Sequence, residues 1–180
     1  MRVDVFKEVT DAVKEMGFDP KTHSYILCVS SMLGISKPNW MKKKEAYMSF
    51  GWSESEFYLA VKLQPACMLP SKKKIRGLMD FFVNKAGLRA SQIAKCPHLF
   101  LISLESRIIP RCSVLQVLMS KGLIGKDVDL VSVLNCNKKY FETRLLTKYK
   151  EVAPEDNVES EKRVTARYAG NSRRLTIWCI

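Results

Sequence analysis

The chain has 180 residues, with 30 Lys plus Arg against 18 Asp plus Glu and a formal net charge of +12. Its 47% hydrophobic content is typical of a globular chain, and its length suits one domain or a short repeat array. A membrane span needs roughly 18 to 20 nearly uncharged apolar residues, and no stretch of the sequence provides them. A transmembrane protein is therefore excluded.

The first predicted repeat spans residues 3–35. Its opening apolar residues keep helical spacing, which predicts an amphipathic helix, and Gly17 follows as a helix-ending residue. Asp19-Pro20 predicts the start of a second helix, because a capping residue precedes a first-turn proline. Ser30 is the predicted break at the end of that helix.

The second predicted repeat spans residues 36–70 and has stronger signals. Gly51 ends its first helix, and Ser53-Glu54-Ser55-Glu56 forms a capping box that predicts the start of the next one. Pro65 cannot continue a helix interior, so the residues after it should form a short separate helical turn.

The third and fourth predicted repeats, residues 71–102 and 103–150, follow the same order. A serine six residues past each helix break opens the next long helix, and Phe141 occupies that position in the last repeat. The glycines and breaks of these two repeats are Gly87, Pro97, Gly122 and Asn135.

The glycine marker recurs at spacings of 34, 36 and 35 residues. Each period contains a helix, a glycine, a second helix and a short turn. This repeated order predicts an all-α fold, specifically an α-solenoid of about four repeats of ~35 residues. An ordinary all-α globule is the alternative. We expect the protein to be a monomer.

The excess of positive charge lies in the middle of the chain. Residues 1–36 carry 4 basic and 5 acidic side chains, residues 37–150 carry 21 and 8, and residues 151–180 carry five of each. Such an excess favours a polyanionic partner, with nucleic acid first and an anionic membrane surface second. A lysine-rich surface that only maintains solubility is the alternative.

Within the repeats, basic residues concentrate after the serine that opens each long helix. If equivalent positions of stacked repeats align, these residues form a ridge that suits a phosphate backbone. The candidate nucleic-acid contacts are Lys42, Lys43, Lys44, Lys72, Lys73, Lys74, Arg76, Arg107, Arg111, Lys138, Lys139 and Arg144.

Aromatic residues at apolar repeat positions are expected to lie in the core and not to stack on bases. Tyr47, Tyr58 and Tyr140 could do either. The predicted core aromatics are Trp40, Trp52, Phe57, Phe81, Phe82 and Phe100.

Catalytic and metal-binding patterns are missing from the sequence. The six cysteines include no C-x-x-C pair, so we expect small buried hydrophobes in a reducing compartment. His98, in Pro-His-Leu-Phe, is expected to be a partly buried structural residue. No phosphate-binding loop, zinc-protease motif or nucleophile elbow occurs. We therefore expect no enzymatic activity, no metal, no cofactor and no small-molecule substrate.

Several segments carry a family resemblance. Phe50-Gly-Trp-Ser-Glu, Ile93-Ala-Lys-Cys-Pro97 and, above all, Ser103-Leu-Glu-Ser-Arg-Ile-Ile-Pro-Arg-Cys resemble the plant branch of the mTERF family, the mitochondrial transcription termination factor proteins. The resemblance covers roughly residues 3–154. It implies a right-handed superhelix of three-helix repeats.

The resemblance also implies a function. Proteins of this family bind nucleic acid, often double-stranded DNA, and act without catalysis in transcription termination, RNA processing or related organellar gene expression. The expected partner is therefore nucleic acid, with duplex DNA favoured over RNA and no membrane partner. The alternative is a solenoid scaffold whose basic ridge binds an acidic protein.

Two features depart from the family pattern. The chain enters its first repeat without an Arg- and Ser-rich leader, so location in a chloroplast or mitochondrion is an expectation from the resemblance alone. Residues 151–180 place five acids before five bases and are expected to form a poorly ordered tail.

Overall fold

The computed structural model describes residues 3–125 and 127–152. These two ranges are helical and contain no β-strand, which confirms the predicted all-α class. None of their helices is long and apolar enough to cross a membrane. The α-helices are α1 (Val3–Glu15), α2 (His23–Leu33), α3 (Lys37–Met48), α4 (Glu54–Leu63), α5 (Lys72–Asp80), α6 (Ala90–Ala94), α7 (Ile109–Ser120), α8 (Leu130–Asn135), α9 (Lys138–Phe141) and α10 (Thr147–Val152).

Short 3-10 and π turns connect or extend these helices. The 3-10 turns Pro65–Met68 and Pro97–Leu101 begin at the two prolines that the sequence marks as helix breaks. The π turns adjoin α5, α7 and α9 without a break, so each forms part of one long helix. They span Phe81–Lys85, Leu104–Ile108 and Glu142–Leu146.

The four repeat glycines adopt the left-handed backbone conformation that their positions predict. Their φ angles are +80° at Gly17, +96° at Gly51, +67° at Gly87 and +70° at Gly122. No other residue type in the described ranges has a positive φ. This conformation is costly for a residue with a Cβ, which explains why glycine occupies each of these helix ends.

The predicted capping box at α4 is confirmed. The Ser53 hydroxyl accepts a hydrogen bond from the Glu56 backbone N–H at 3.2 Å, and the Glu56 carboxylate accepts one from the Ser53 N–H at 2.8 Å. Ser71 and Ser103 also cap the helices that follow them, each accepting a hydrogen bond from the N–H three residues later.

The limits predicted for α2 are wrong at both ends. Asp19 does not cap the helix: its carboxylate accepts a hydrogen bond from the Lys21 N–H in the preceding turn, and Thr22 is the cap. Ser30 does not break the helix, which continues to Leu33. A serine in a helix can remain within the hydrogen-bonded ladder, whereas a proline lacks the N–H to do so.

The last predicted repeat also needs correction. Asn137, and not Phe141, takes the capping position, and its side chain accepts a hydrogen bond from the Tyr140 N–H at 2.8 Å. Phe141 is fully buried. Residues 151 and 152, which were predicted to begin the tail, belong to α10. The remaining tail prediction lies outside the described residues.

The chain divides into two compact units, one up to Leu101 and one from Ile102 onward. An aromatic cluster forms much of the core of the first unit. Tyr47 is central: its ring stacks on Trp52 at 4.5 Å and meets Phe100 edge-on at 4.8 Å, and its hydroxyl donates to the Cys67 carbonyl. Three segments distant in sequence therefore share one core.

The second unit has a smaller apolar core. It includes Val114 and Leu118 of α7, together with Phe141 and Leu146 of the last long helix. Burial of these side chains provides the main favourable contribution to packing α7 against that helix. The residue limits of the four predicted repeats remain a prediction.

Candidate nucleic-acid interface

Helix α5 begins with a group of basic side chains. Ser71 caps the helix, and Lys72, Lys73 and Arg76 are exposed, while Lys74 is half-buried. No acidic residue lies in the first turn. Among the described carboxylates, none forms an ion pair with these four residues. Their charge is therefore available to an external anion.

Helix α9 repeats this arrangement. Its cap is Asn137, and the exposed Lys138 and Lys139 follow at the same two positions that Lys72 and Lys73 occupy after Ser71. The Lys138 ammonium lies 3.6 Å from the Glu142 carboxylate, a pair exposed enough to contribute little to stability.

Farther along the last long helix, Arg144 is exposed and its guanidinium lies 5.9 Å from the Tyr140 ring. Tyr140 is 53% exposed and is the one member of the ambiguous tyrosine group that presents most of its ring to solvent. An exposed arginine beside an exposed tyrosine can contact both phosphates and bases.

Helix α3 presents a mixed cluster. Lys42 is exposed, but the Lys43 ammonium donates to the carbonyls of Met68 and Leu69 at 2.7 and 3.3 Å. These carbonyls lie at the end of the first 3-10 turn, where no helical N–H is available to bind them. Burial lowers the pKa of Lys43. Lys43 thus has a structural role within the first unit.

Lys44 is held more tightly. Its side chain is only 13% exposed and lies over the Tyr58 ring at 4.8 Å, with hydrogen bonds to Tyr58 and to Glu54. Burial by itself lowers the pKa of Lys44, but the hydrogen bonds and charge interactions with Glu54 and Tyr58 together outweigh this effect and raise it. Lys44 links α3 to α4 and does not stand open to a phosphate.

The two arginines of the Ser-Leu-Glu-Ser-Arg-Ile-Ile-Pro-Arg segment also point inward. Arg111 is 0% exposed, and one of its guanidinium nitrogens donates to the Val133, Leu134 and Cys136 carbonyls at 3.0, 3.2 and 2.6 Å. Arg107 is half-buried and donates to the same Cys136 carbonyl at 2.8 Å. The prediction that Arg111 lies on a surface ridge is corrected: it caps α8 from within the core.

The basic clusters do not share one position relative to the helix caps. Lys42–Lys44 lie six to eight residues after Ser36, whereas Lys72–Lys74 lie one to three residues after Ser71. The residue of α3 equivalent to Lys72 is Lys37, which the sequence interpretation omitted although it directly follows its cap. Its ammonium pairs with Glu8 at 2.8 Å, and both side chains are largely exposed.

The aromatic prediction is confirmed, because all six residues assigned to the core are at most 5% exposed. Of the three ambiguous tyrosines, Tyr47 is buried and Tyr58 is half-buried beneath Lys44. Among these nine aromatic residues, Tyr140 therefore offers the most accessible ring to a base.

The cysteines and histidines that the structure describes show no arrangement suited to catalysis. Burial is confirmed for Cys28, Cys67 and Cys112, whereas Cys96 and Cys136 are half-buried and Cys179 lies outside the described residues. Burial raises the pKa of the three buried thiols, to about 11 for Cys28 and about 12 for the other two. Such thiols are poor nucleophiles. His98 is half-buried, and burial lowers its pKa. Within residues 3–125 and 127–152, no His, Cys, Asp or Glu group could hold a metal ion.

Comparison with known proteins identifies the family of the chain. The mitochondrial transcription termination factor MTERF15 of Arabidopsis thaliana is 24% identical over 102 residues, which are 57% of this chain and 23% of that protein. The chain thus spans about a quarter of the length of this curated relative. No solved structure matches the chain. The family model described as mTERF matches residues 6–142, more than half of the sequence, and the chain therefore belongs to the mTERF family.

Proposed function

We propose that the chain is a non-catalytic, nucleic-acid-binding regulator of organellar gene expression, acting in transcription termination, transcription regulation or RNA processing, with double-stranded DNA as its preferred ligand. Family membership supports the broad role in gene expression, since the relative is named a transcription termination factor. The choice of duplex DNA comes from the resemblance of the sequence segments.

The observation that carries the proposal is the placement of lysine pairs in the first turns of α5 and α9. A lysine there opposes the helix macrodipole, and neither first turn contains a carboxylate to offset it. The free backbone N–H groups of a helix start and an adjacent ammonium both attract phosphate. Charge placed at a cost to helix stability, and left exposed, fits a role in ligand binding.

We propose a smaller set of phosphate contacts than the sequence predicts. Lys43, Lys44, Arg107 and Arg111 bind groups within their own units, so we assign them to scaffold roles. The proposed phosphate contacts are Lys42, Lys72, Lys73, Lys74, Arg76, Lys138, Lys139 and Arg144.

A protein scaffold for an acidic partner remains the second candidate, because the same exposed lysines can bind carboxylates. A fluorescence anisotropy titration at low salt separates the two candidates. It compares the affinity of the protein for duplex DNA, for duplex RNA of the same sequence and for polyglutamate. We expect the tightest binding to duplex DNA and at least tenfold weaker binding to polyglutamate. Equal or tighter binding to polyglutamate would favour the scaffold, and tighter binding to RNA would reassign the ligand.

We further propose that the protein acts in the mitochondrion, the organelle in the name of its relative. A fluorescent fusion of the full-length protein in plant cells is expected to coincide with a mitochondrial marker. Fluorescence in the chloroplast would indicate that the protein has the same function in that organelle. Fluorescence in the cytosol alone would contradict an organellar role.

A further inference from the structure

Arg111 contacts both helices that flank the predicted break at Asn135, namely α8 and α9. On one side its guanidinium binds the carbonyls that end α8, including that of Cys136 at 2.6 Å. On the other side the guanidinium carbon lies 4.6 Å from the centre of the Phe141 ring, in α9. One buried side chain therefore fixes the end of one helix and the first turn of the next.

The connection between these helices is short. Only Cys136 and Asn137 separate α8 from α9, and Lys138 and Lys139 follow immediately. The carbonyl held by Arg111 and Arg107 thus belongs to the residue just before the α9 cap. A small displacement of Cys136 would move Asn137 and the lysine pair with it, because no flexible loop lies between them.

The preceding repeat shows what a different connection requires. After α6, the 3-10 turn Pro97–Leu101 leads toward the next helix, and no such turn separates α8 from α9. The residues that lie four and eight positions after Ser71 are Ile75 and Met79, both fully buried, whereas the same positions after Ser103 are Arg107 and Arg111.

In the repeat that begins at Ser71, apolar side chains therefore occupy both of these core positions, and a 3-10 turn follows α6. Arginine occurs where the turn is missing and the end of α8 leaves several carbonyls without helical partners. A guanidinium can bind several such carbonyls at once because its donors have a fixed planar geometry.

We propose that Arg111 is a positioning residue for nucleic-acid binding: by clamping the end of α8 to Phe141, it holds Lys138 and Lys139 in the orientation that contacts phosphates. This inference rests on the proposed function. Arg111 itself is buried and touches no ligand; it acts through the backbone at Cys136 and Asn137.

The test is the salt dependence of duplex DNA binding by three variants: Arg111→Met, Lys138→Gln with Lys139→Gln, and the combination of all three substitutions. Losing two phosphate contacts should lower the slope of log affinity against log salt by about 1.8, since each contact contributes about 0.9. We expect Arg111→Met to lower the slope toward that value. The combination should lower it no further than the lysine substitutions alone, because the same contacts are lost.

Two control variants separate positioning from general effects. Leu115→Ala removes fully buried apolar atoms of α7 outside the cluster that contains Phe141, and it should lower the melting temperature without changing the slope. Lys121→Gln removes one exposed charge just past the end of α7 and should also leave the slope unchanged. Every titration is performed below the melting transition of the variant, as measured by circular dichroism.

The outcomes are distinguishable. A wild-type slope for Arg111→Met, or additive losses in the combination, would overturn the positioning role. If the lysine substitutions leave the slope unchanged while wild-type protein binds DNA, there is no contact to position and the inference also fails, although the proposed function stands. If wild-type protein binds no nucleic acid, the proposed function itself fails.

If Arg111→Met does not fold, Arg111→Lys provides the same comparison. An ammonium retains the positive charge but cannot match the planar fork of donors that binds the α8 carbonyls. We expect it to give a slope between those of the wild type and the lysine double variant. A slope equal to that of the wild type would show that a positive charge at this position is enough to hold the lysine pair. That result would contradict the proposed role of the guanidinium.

Discussion

At the scale of single residues, neighbouring lysines have different environments. Lys42 is exposed, while Lys43 binds two main-chain carbonyls and Lys44 lies over an aromatic ring. Each of the three lysines contributes the same charge to the sequence. They differ only in how their side chains pack against α4 and the first 3-10 turn. The sequence could therefore predict a basic segment but not which of its residues are accessible.

Glycine behaves in the opposite way, because its backbone conformation follows from its position alone. Each repeat glycine ends a helix and has a positive φ, as its place between two helical patterns predicts. Gly122 and Gly77 provide a matched pair, since a Cβ added at either would meet no atom within 4 Å. They differ in backbone conformation: Gly77 lies inside α5, and Gly122 has a φ of +70°.

We expect Gly122→Ala to reduce the free energy of unfolding by about 1–2 kcal/mol, because alanine is strained at positive φ and no steric clash contributes. Gly77→Ala should instead increase it by roughly 0.5–1 kcal/mol, since alanine favours a helix interior. Urea denaturation followed by circular dichroism measures both. Equal signs for the two substitutions would contradict the assigned conformation of Gly122.

At the scale of secondary-structure elements, the glycine, proline and capping-box signals could be predicted, whereas the ends of α2 and the signals that need tertiary contacts could not. The capping box at Ser53 and the breaks at Pro65 and Pro97 are local and are confirmed. The sequence places Arg111 on the surface, which is wrong, because a buried arginine can be recognised only when its carbonyl partners are known. These partners lie 22 or more residues away in the chain.

The α4 capping box predicts a pH dependence. Hydrogen bonds from the Ser53 N–H and hydroxyl lower the pKa of the Glu56 carboxyl from its ordinary 4.5. Because the folded-state pKa is the lower one, the stabilisation from this group is fully present above pH 4.5. It is lost as the pH falls through the folded-state pKa.

The stability difference between the wild type and Glu56→Gln should therefore be constant at neutral pH and should shrink below about pH 4.5. Urea denaturation at a series of pH values measures it. Asn39→Ala is the control, because this exposed side chain of α3 does not titrate, and its stability difference should stay constant over the same pH range. A Glu56 difference that grows on acidification would contradict the capping interaction.

At the scale of the whole molecule, residues 37–150 contain 21 basic and 8 acidic side chains, a net charge of +13 that accounts for the +12 of the chain. Part of this charge has a scaffold role, and the rest is exposed on helices of both compact units. The alignment of these residues as one ridge remains a prediction. An excess of exposed positive charge within the family region is what the nucleic-acid proposal requires.

The most direct test of that proposal is the salt dependence of DNA affinity for the wild type and for a variant with Lys72, Lys73 and Lys74 changed to Gln. We expect log affinity to fall linearly with log salt, and the variant to bind every duplex sequence more weakly, with a slope lower by about 0.9 for each lost contact. The matched control changes Lys7, Lys14 and Lys21 to Gln, which removes the same charge from the exposed surface of the first predicted repeat and should leave the slope unchanged. No DNA binding at low salt, or equal loss of slope in the two variants, would contradict it.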